Sequence, residues 1–322
     1  MCASMNFQPD ILKQCWFLAG PTAVGKSKVS LELAQRLNAE VISMDSMAIY
    51  RRMDVGTAKP SAAEQAVVRH HLIDVIDPDQ EYSVADYVHH ARSAAEDILA
   101  RQKVPLFVGG TGLYLRSILR GVFQGPEADW DLRRDLERVI SERGVNFLHD
   151  ELRSIDPVTA ERLHPNDTRR VIRAMEVFRA TGQPLSTLHG EQALPAKERP
   201  DKVFWLEPQR DWLHQRVNQR VDQMMSDGLL EETRQLLQQV PPPGRTARQA
   251  IGYRELIEHL ERNLPLVEAI EQIKTVTRQF AKRQHTWFRN LEECRALSVC
   301  PHDSATVIVE KLIQVGCTGR HS

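Results

Sequence analysis

The sequence predicts an α/β fold, a parallel sheet core flanked by helices and interrupted by a mostly helical insertion. Three observations predict it. Short β-rich runs alternate with amphipathic stretches, and the alternation lapses between about residues 124 and 199. The length, 322 residues with 42% hydrophobic content, suits two domains or one decorated domain with a large core. Charge adds an exclusion: 42 lysines and arginines against 43 aspartates and glutamates give a formal charge of −1, which rules out a disordered or polybasic chain. Nucleic acid stays open, because affinity for phosphate depends on where positive charge sits and not on its total.

In chain order, the strand-like runs are Cys15 to Ala19, Val41 to Met44, His71 to Ile76, Pro105 to Val108 and, as the last, Val203 to Leu206. Between them, Lys28 to Leu37 carries Val29, Leu33 and Leu37 at helical spacing, and Val84 to Arg101 carries Val84, Val88 and Ile98. These are crossover helices of a parallel sheet. After Gly125-Pro126 come charged helices at Asp129 to Arg143 and Asn146 to Arg153, then Pro157, Pro165 and a helix at Thr168 to Ala180. Pro195 to Pro200 closes this stretch. The expected division is a core of residues 1–123 and 200–322, with C-terminal basic helices, and an insertion at 124–199. Past the last strand lie Trp212 to Gln239, the stop Pro241-Pro242-Pro243-Gly244, and two helices ending near Leu291.

No apolar run approaches the roughly 20 residues that span a bilayer, and the opening segment holds Asp10 where a signal peptide needs an apolar core. A soluble, cytoplasmic protein without membrane contact is expected. Cys2, Cys15, Cys294, Cys300 and Cys317 are too scattered for a disulfide framework. Cys294, Cys300, His302, Cys317 and His321 lack any Cys-x-x-Cys pair, a poor spacing for a closed zinc site.

Gly20-Pro21-Thr22-Ala23-Val24-Gly25-Lys26-Ser27 matches G-x-x-x-x-G-K-[ST], set between an apolar strand and an amphipathic helix. The core is therefore expected to be P-loop NTPase-like. Backbone N–H groups and the helix N-terminus would cradle a di- or triphosphate, Lys26 would reach a terminal phosphate and Ser27 would offer its hydroxyl to Mg2+. A phosphate-hydrolysing enzyme usually has an aspartate ending a later strand, yet Leu106-Phe107-Val108 runs into Gly109-Gly110-Thr111-Gly112. The strand-end carboxylate is instead Asp45. Beside a bound diphosphate it suits a general base; alternatively it holds Mg2+ through water or caps a turn.

The run from Asp45 to Pro60, DSMAIYRRMDVGTAKP, closely resembles the signature of the tRNA dimethylallyltransferases, or isopentenyltransferases. Further matches are Gly109 to Tyr114, His164 to Asp167 with Arg169 and Arg170, Ile251 to Glu255, and Lys282 to Trp287. The resemblance covers about residues 15 to 290. It implies transfer of a dimethylallyl group from dimethylallyl diphosphate to the N6 amine of the adenine at tRNA position 37, with the phosphate loop holding the donor's diphosphate and not ATP. It implies Asp45 as general base, Lys26, Thr111 and Arg220 around the reacting centre, and Gly20 to Ser27 as the cradle. It also aligns Asp45, Ser46, Met47, Ala48, Thr111, Arg133, Arg169, Arg170, Val171, Ile172, Arg173, Gln249, Ala250, Ile251, Gly252, Tyr253, Arg254, Arg278 and Lys282 with tRNA-contacting segments. The family expectation is a monomer that meets the tRNA anticodon stem-loop. Two positions depart: Ala48 stands where many members have glutamine, and Arg52 where glycine is usual. Ala48 offers the target adenine no side-chain hydrogen bond, so backbone or neighbouring groups would have to serve.

The chemistry is coherent on its own terms. Adenine's amine is a weak nucleophile, so leaving-group stabilisation by Lys26, Arg220 and Mg2+ must dominate. Lys274, Arg278, Lys282, His285 and Arg289 recur at steps of four, four, three and four, a basic stripe suited to RNA phosphate, with Ile273, Val276, Phe280 and Trp287 on another face. The insertion, with Arg169, Arg170 and Arg173, would clamp RNA and exclude water. His70, His71, His89, His90 and Tyr50 read as packing or capping residues, and Asp74 and Asp77 as turn formers. Competing readings are a prenyltransferase acting on free adenine nucleotide, a small-molecule kinase, and a non-enzymatic, nucleotide-gated RNA-binding module.

Overall fold

The computed structural model describes residues 7–123, 125–188 and 193–317. Cys2, His321 and the expected first insertion residue, Gln124, lie outside them. The chain forms two compact units, Arg120–Gln192 and a larger one assembled from Phe7–Leu119 and Ala193–Ser322.

The larger unit is built on six parallel strands: β1 (Trp16–Ala19), β2 (Ala39–Met44), β3 (His70–His71), β4 (Val104–Gly109), β5 (Val203–Pro208) and β6 (Arg295–Val299), in the order β3-β2-β4-β1-β5-β6. Strands β1 and β2 are buried throughout, as strands of a parallel sheet are when helices cover both faces. The register sets Phe17 beside Phe107, and their rings stack at 4.8 Å. Because β4 lies between β1 and β2 while β5 lies on the other side of β1, the connections diverge at β1. In open parallel sheets, ligands bind at the carboxyl ends around such a point. The loops after β1, β2 and β4 carry the phosphate loop, Asp45 and Gly110-Thr111.

The structure corrects three expectations. The expected strand from His71 to Ile76 lasts two residues, because Leu72 (φ 59°) and Asp74 (φ 54°) take left-handed conformations that no strand accommodates; the chain touches the sheet again only at the Tyr50–Ile76 bridge. Trp212 to Gln239 is two helices, Arg210–Ser226 and Leu229–Leu237, split at Gly228 (φ 98°). Val203 to Leu206 is not the last strand. β6 joins the edge beyond it, and helix Ala305–Cys317 buries Ile308, Val309 and Leu312 in the same cluster as Trp16, Leu18 and Val29.

The smaller unit packs Trp130–Arg143, Val145–Ile155, Pro157–Arg162 and Thr168–Thr181 around Leu136, Leu148, Leu152, Val171, Ile172 and Met175. Its third helix went unforeseen. Pro157 opens that helix, and Asp156 caps it by accepting the Thr159 N–H at 3.0 Å.

Candidate active site

The phosphate-loop motif lies between β1 and helix Lys26–Leu37. Gly25, at φ 106°, precedes that helix, a conformation open to glycine but strained for other residues. Ala23 is left-handed too, at φ 65°, and the Arg216 Nε donates to its carbonyl at 2.7 Å. The Lys26 ammonium donates to the Gly20 and Pro21 carbonyls, each at 2.8 Å. Burial of this ammonium, helped by nearby Arg220, lowers its pKa to about 7, while Asp45 pulls the other way.

The second element of the site is the turn after β2. Asp45 Oδ1 accepts the N–H groups of Met47 (2.8 Å) and Ala48 (3.3 Å), so one carboxylate oxygen anchors the turn. Thr111 ties the loop after β4 to it. Its N–H donates to the Met44 carbonyl at 3.1 Å, and its Oγ1 accepts the Ser46 N–H at 3.1 Å. A Cβ on Gly109 would stand 2.2 Å from the Met44 oxygen, so this close approach needs glycine. Beneath the turn, Tyr87 donates to the Ser43 carbonyl at 3.0 Å and stacks on Tyr114 at 3.6 Å. Burial first, and the Asp45 charge among the groups that add to it, push both phenols well above their ordinary range.

Helix Arg210–Ser226 supplies two more cations one turn apart, Arg216 and Arg220. Burial lowers the Arg220 pKa, opposed by Asp45 and assisted by Arg216. Lys26 and Arg220 thus share one carboxylate, Asp45, and neither forms an ion pair within the described residues, while Arg216 is exposed and holds the Ala23 carbonyl. Desolvated cations held without a matching anion make a site for a polyanion. Ser27 is exposed at the helix start, and the described residues contain no cluster of three His, Cys, Asp or Glu able to hold a metal. The exposed Ser27 hydroxyl fits Mg2+ held largely by phosphate oxygens, with Ser27 as the protein ligand, better than a resident metal centre.

A cavity of about 610 Å³ adjoins Arg220, walled by Val55, Lys59, Asp74 and Met224 among others. Its loop wall is held from behind. The Glu232 carboxylate accepts the N–H groups of Asp54 (2.9 Å), Val55 (2.8 Å) and Gly56 (3.1 Å) and the Tyr253 hydroxyl (2.5 Å). Lys59 is pinned by the Tyr50 carbonyl, Asp54 and Asp74 at 2.5 to 2.6 Å.

This arrangement coincides with a known family, since the IPP transferase model matches residues 48–291. The chain belongs to the IPP transferase family. It is 42% identical to the tRNA dimethylallyltransferase of Halothermothrix orenii over 91% of this chain and 90% of that one. It is 46% identical to the protein of the same name from Desulforudis audaxviator, over 88% and 91%. Among solved structures it resembles the tRNA isopentenylpyrophosphate transferase of Bacillus halodurans, with TM-score 0.68, 40% identity and coverage of 96% of this chain and 100% of that one. It also resembles a eukaryotic dimethylallyltransferase acting on tRNA, with TM-score 0.70, 31% identity and coverage of 88% and 73%. The core is accordingly P-loop NTPase-like.

For this IPP transferase chain, the structure sorts the residues aligned with tRNA-contacting segments. Ser46 and Met47 are half-buried near Asp45, while Arg169, Arg170, Gln249, Arg254 and Lys282 are exposed and Ile251 is half-buried. The side chains of Val171 and Ile172 lie in the core of the smaller unit. Ala250 and Tyr253 are likewise core residues, and Gly252 is buried. Arg133 and Arg173 are committed to buried Glu176, Arg133 in a two-pronged contact at 2.8 Å through each oxygen. Arg278 donates to Asn218 at 2.6 Å. The basic stripe loses Lys274, which pairs with Asp222 (2.8 Å) and Glu271 (3.0 Å).

The two departures are explained in part. Arg52 sits at φ 63°, the conformation that makes glycine usual there, and its guanidinium pairs with Asp77 at 2.9 Å. Ala48 is buried; its N–H goes to Asp45 and its carbonyl accepts the Asp74 N–H at 3.2 Å, leaving Ser46 and Met47 as the nearer candidates for meeting a base. Sequence reasoning missed Arg216, Glu232 and Gln284. Arg216 stands four residues before Arg220 and Gln284 inside the Lys282 to Trp287 motif, both of them usable signals; nothing local marks Glu232.

Proposed function

We propose that the chain is a tRNA dimethylallyltransferase. It transfers the dimethylallyl group of dimethylallyl diphosphate to the exocyclic N6 amine of the adenine at tRNA position 37, beside the anticodon, in tRNAs that read codons beginning with U. The products are N6-(dimethylallyl)adenosine and diphosphate. The supporting observation is the juxtaposition of the unpaired cations Lys26 and Arg220 with the Asp45 carboxylate at the diverging carboxyl ends of the sheet.

The allylic C–O bond breaks as positive charge develops on carbon, and its electron pair leaves with the diphosphate, whose charge Lys26 and Arg220 neutralise. The adenine nitrogen bonds to that carbon, and Asp45, through the oxygen not spent on its own turn, takes the amine proton. Mg2+, when bound at Ser27, adds electrostatic stabilisation of the leaving diphosphate. Thr111 fixes the turn that aims Asp45. An anticodon loop suits this site because its bases are single-stranded and can be splayed into a pocket. Exposed Lys282, Arg169 and Arg170 supply phosphate contacts. The enzyme acts as a monomer in the cytoplasm.

The test offers purified protein labelled dimethylallyl diphosphate with an anticodon stem-loop carrying adenine at the target position, the same loop with guanine, or free AMP. Label entering the adenine stem-loop alone is the expected result. Label entering AMP and not RNA would replace this reading with a free-nucleotide prenyltransferase, and ATP turnover without prenyl transfer would replace it with a kinase.

A further inference from the structure

We propose that Gln284 is a positioning residue that locks the donor loop to the acceptor loop, and this rests on the prenyl-transfer reading of the site. Gln284 projects from helix Leu266–Arg289 and is 5% exposed. Its Oε1 accepts the Thr22 N–H at 2.9 Å, and its Nε2 donates to the Gly110 carbonyl at 2.8 Å. Thr22 can only donate and the Gly110 oxygen only accept, so the amide orientation is determined.

The two loops leave adjacent strands, whose last paired residues are Ala19 and Gly109. Beyond that pair the ladder ends, and Thr22 and Gly110 would have no rung between them. The Gln284 amide, carrying one donor and one acceptor like a peptide group, supplies it. The fit is close enough that a Cβ on Gly110 would lie 2.3 Å from Nε2. From Thr22 the chain runs to Lys26. From Gly110 it runs to Thr111, which holds Met44 and Ser46 on either side of Asp45. Gln284 therefore fixes the spacing between the group that holds the diphosphate and the group that takes the proton. Misplacement of reacting groups by about 1 Å costs on the order of 100-fold in rate.

Two near-isosteric variants test this. Gln284→Leu removes both bonds and should lower kcat about 10- to 100-fold, with KM for the stem-loop changed less than about threefold. It should also speed amide hydrogen exchange in both segments 20–27 and 109–113. Gln284→Glu keeps the acceptor for Thr22 but regains a donor for Gly110 only when protonated. Its kcat relative to wild type should rise as pH falls, while the ratio for Gln284→Leu stays flat. A Gln284→Leu protein with wild-type kcat and unchanged exchange, or parallel pH profiles for the two variants, would overturn the lock. If Gln284→Leu fails to fold, the Gln284→Glu profile decides alone. If wild type makes no prenylated RNA, the enzymatic reading fails, and the exchange comparison still decides whether Gln284 couples the loops.

Discussion

Two clusters of cations in this molecule are built on opposite principles. In the smaller unit, Arg133 and Arg173 close on Glu176, which is 1% exposed and also accepts the Asp129 N–H at 2.8 Å. Burial would raise the Glu176 carboxyl, and the hydrogen bonds from Arg133 and Arg173 outweigh it, so it titrates below its ordinary range. In the larger unit, Lys26 and Arg220 are desolvated beside each other without an ion pair, Lys26 donating only to carbonyls, and burial outweighs the pull of Asp45, so both are pushed toward losing their protons. A matched cluster belongs to architecture; an unmatched one is held ready for a ligand. Lys59 shows the first principle in the larger unit, with carboxylates at 2.6 Å on two sides.

The largest expected effect breaks the reactive cluster. Asp45→Asn keeps an oxygen for the Met47 and Ala48 N–H groups but cannot take a proton. It should reduce kcat by about 10³-fold, within the range of general-base contributions, while the thermal midpoint holds. A loss under fivefold would leave Asp45 a turn-former.

Next, Glu176→Gln breaks the matched cluster and should destabilise the fold by about 3 kcal/mol, the lower end for exposing buried charges to an absent partner. Denaturant melts would show it, and prenyl transfer below the melting range should persist. An equal loss of kcat without a loss of stability would reverse the contrast between the clusters.

The third prediction sharpens the contrast through pH. Burial lowers the Lys26 pKa to about 7, and a diphosphate bound against it would raise it. Donor affinity in the absence of RNA should therefore weaken as pH climbs above 7, by up to about tenfold per unit, with proton uptake on binding. Calorimetry in buffers of different ionisation enthalpy reads this directly, and Lys26→Met should flatten it. For stability the sign is also set. The depressed folded pKa means the cost of the buried ammonium is fully present below pH 7 and relieved as pH rises toward 10.5.

The smallest effect concerns Arg52. Glycine there would relieve a left-handed residue at the expense of one surface ion pair and some chain entropy, a net gain of about 0.5 kcal/mol seen as a small rise in thermal midpoint. A fall would mean the Asp77 contact outweighs the strain.

The alternation of apolar runs with amphipathic helices is a local property, and it was enough to reveal most of the parallel sheet, while a contiguous glycine-rich motif and a strand-end position marked Gly20 to Ser27 and Asp45. Where single residues override local preference, the reading went wrong: Leu72 and Asp74 end β3 by turning left-handed. β6 escaped notice because an edge strand with exposed alternate positions, Ala296 and Ser298, carries little apolar signal. The periodicity of the Lys274 to Arg289 stripe was real, yet it could not show that Asp222, from another helix, neutralises Lys274.

The sequence by itself determined which chemical groups are present and which stand beside each other along the chain: a glycine-rich phosphate loop, a carboxylate closing a strand, a helix with a basic residue every turn. Only the tertiary structure decided which charges are answered and which are left open. Glu176 and Arg133 are 43 residues apart and Gln284 and Thr22 are 262 apart, and no local pattern encodes such meetings. They arise from the order in which the strands pair and from burial, which makes an unanswered charge costly enough to mark a site.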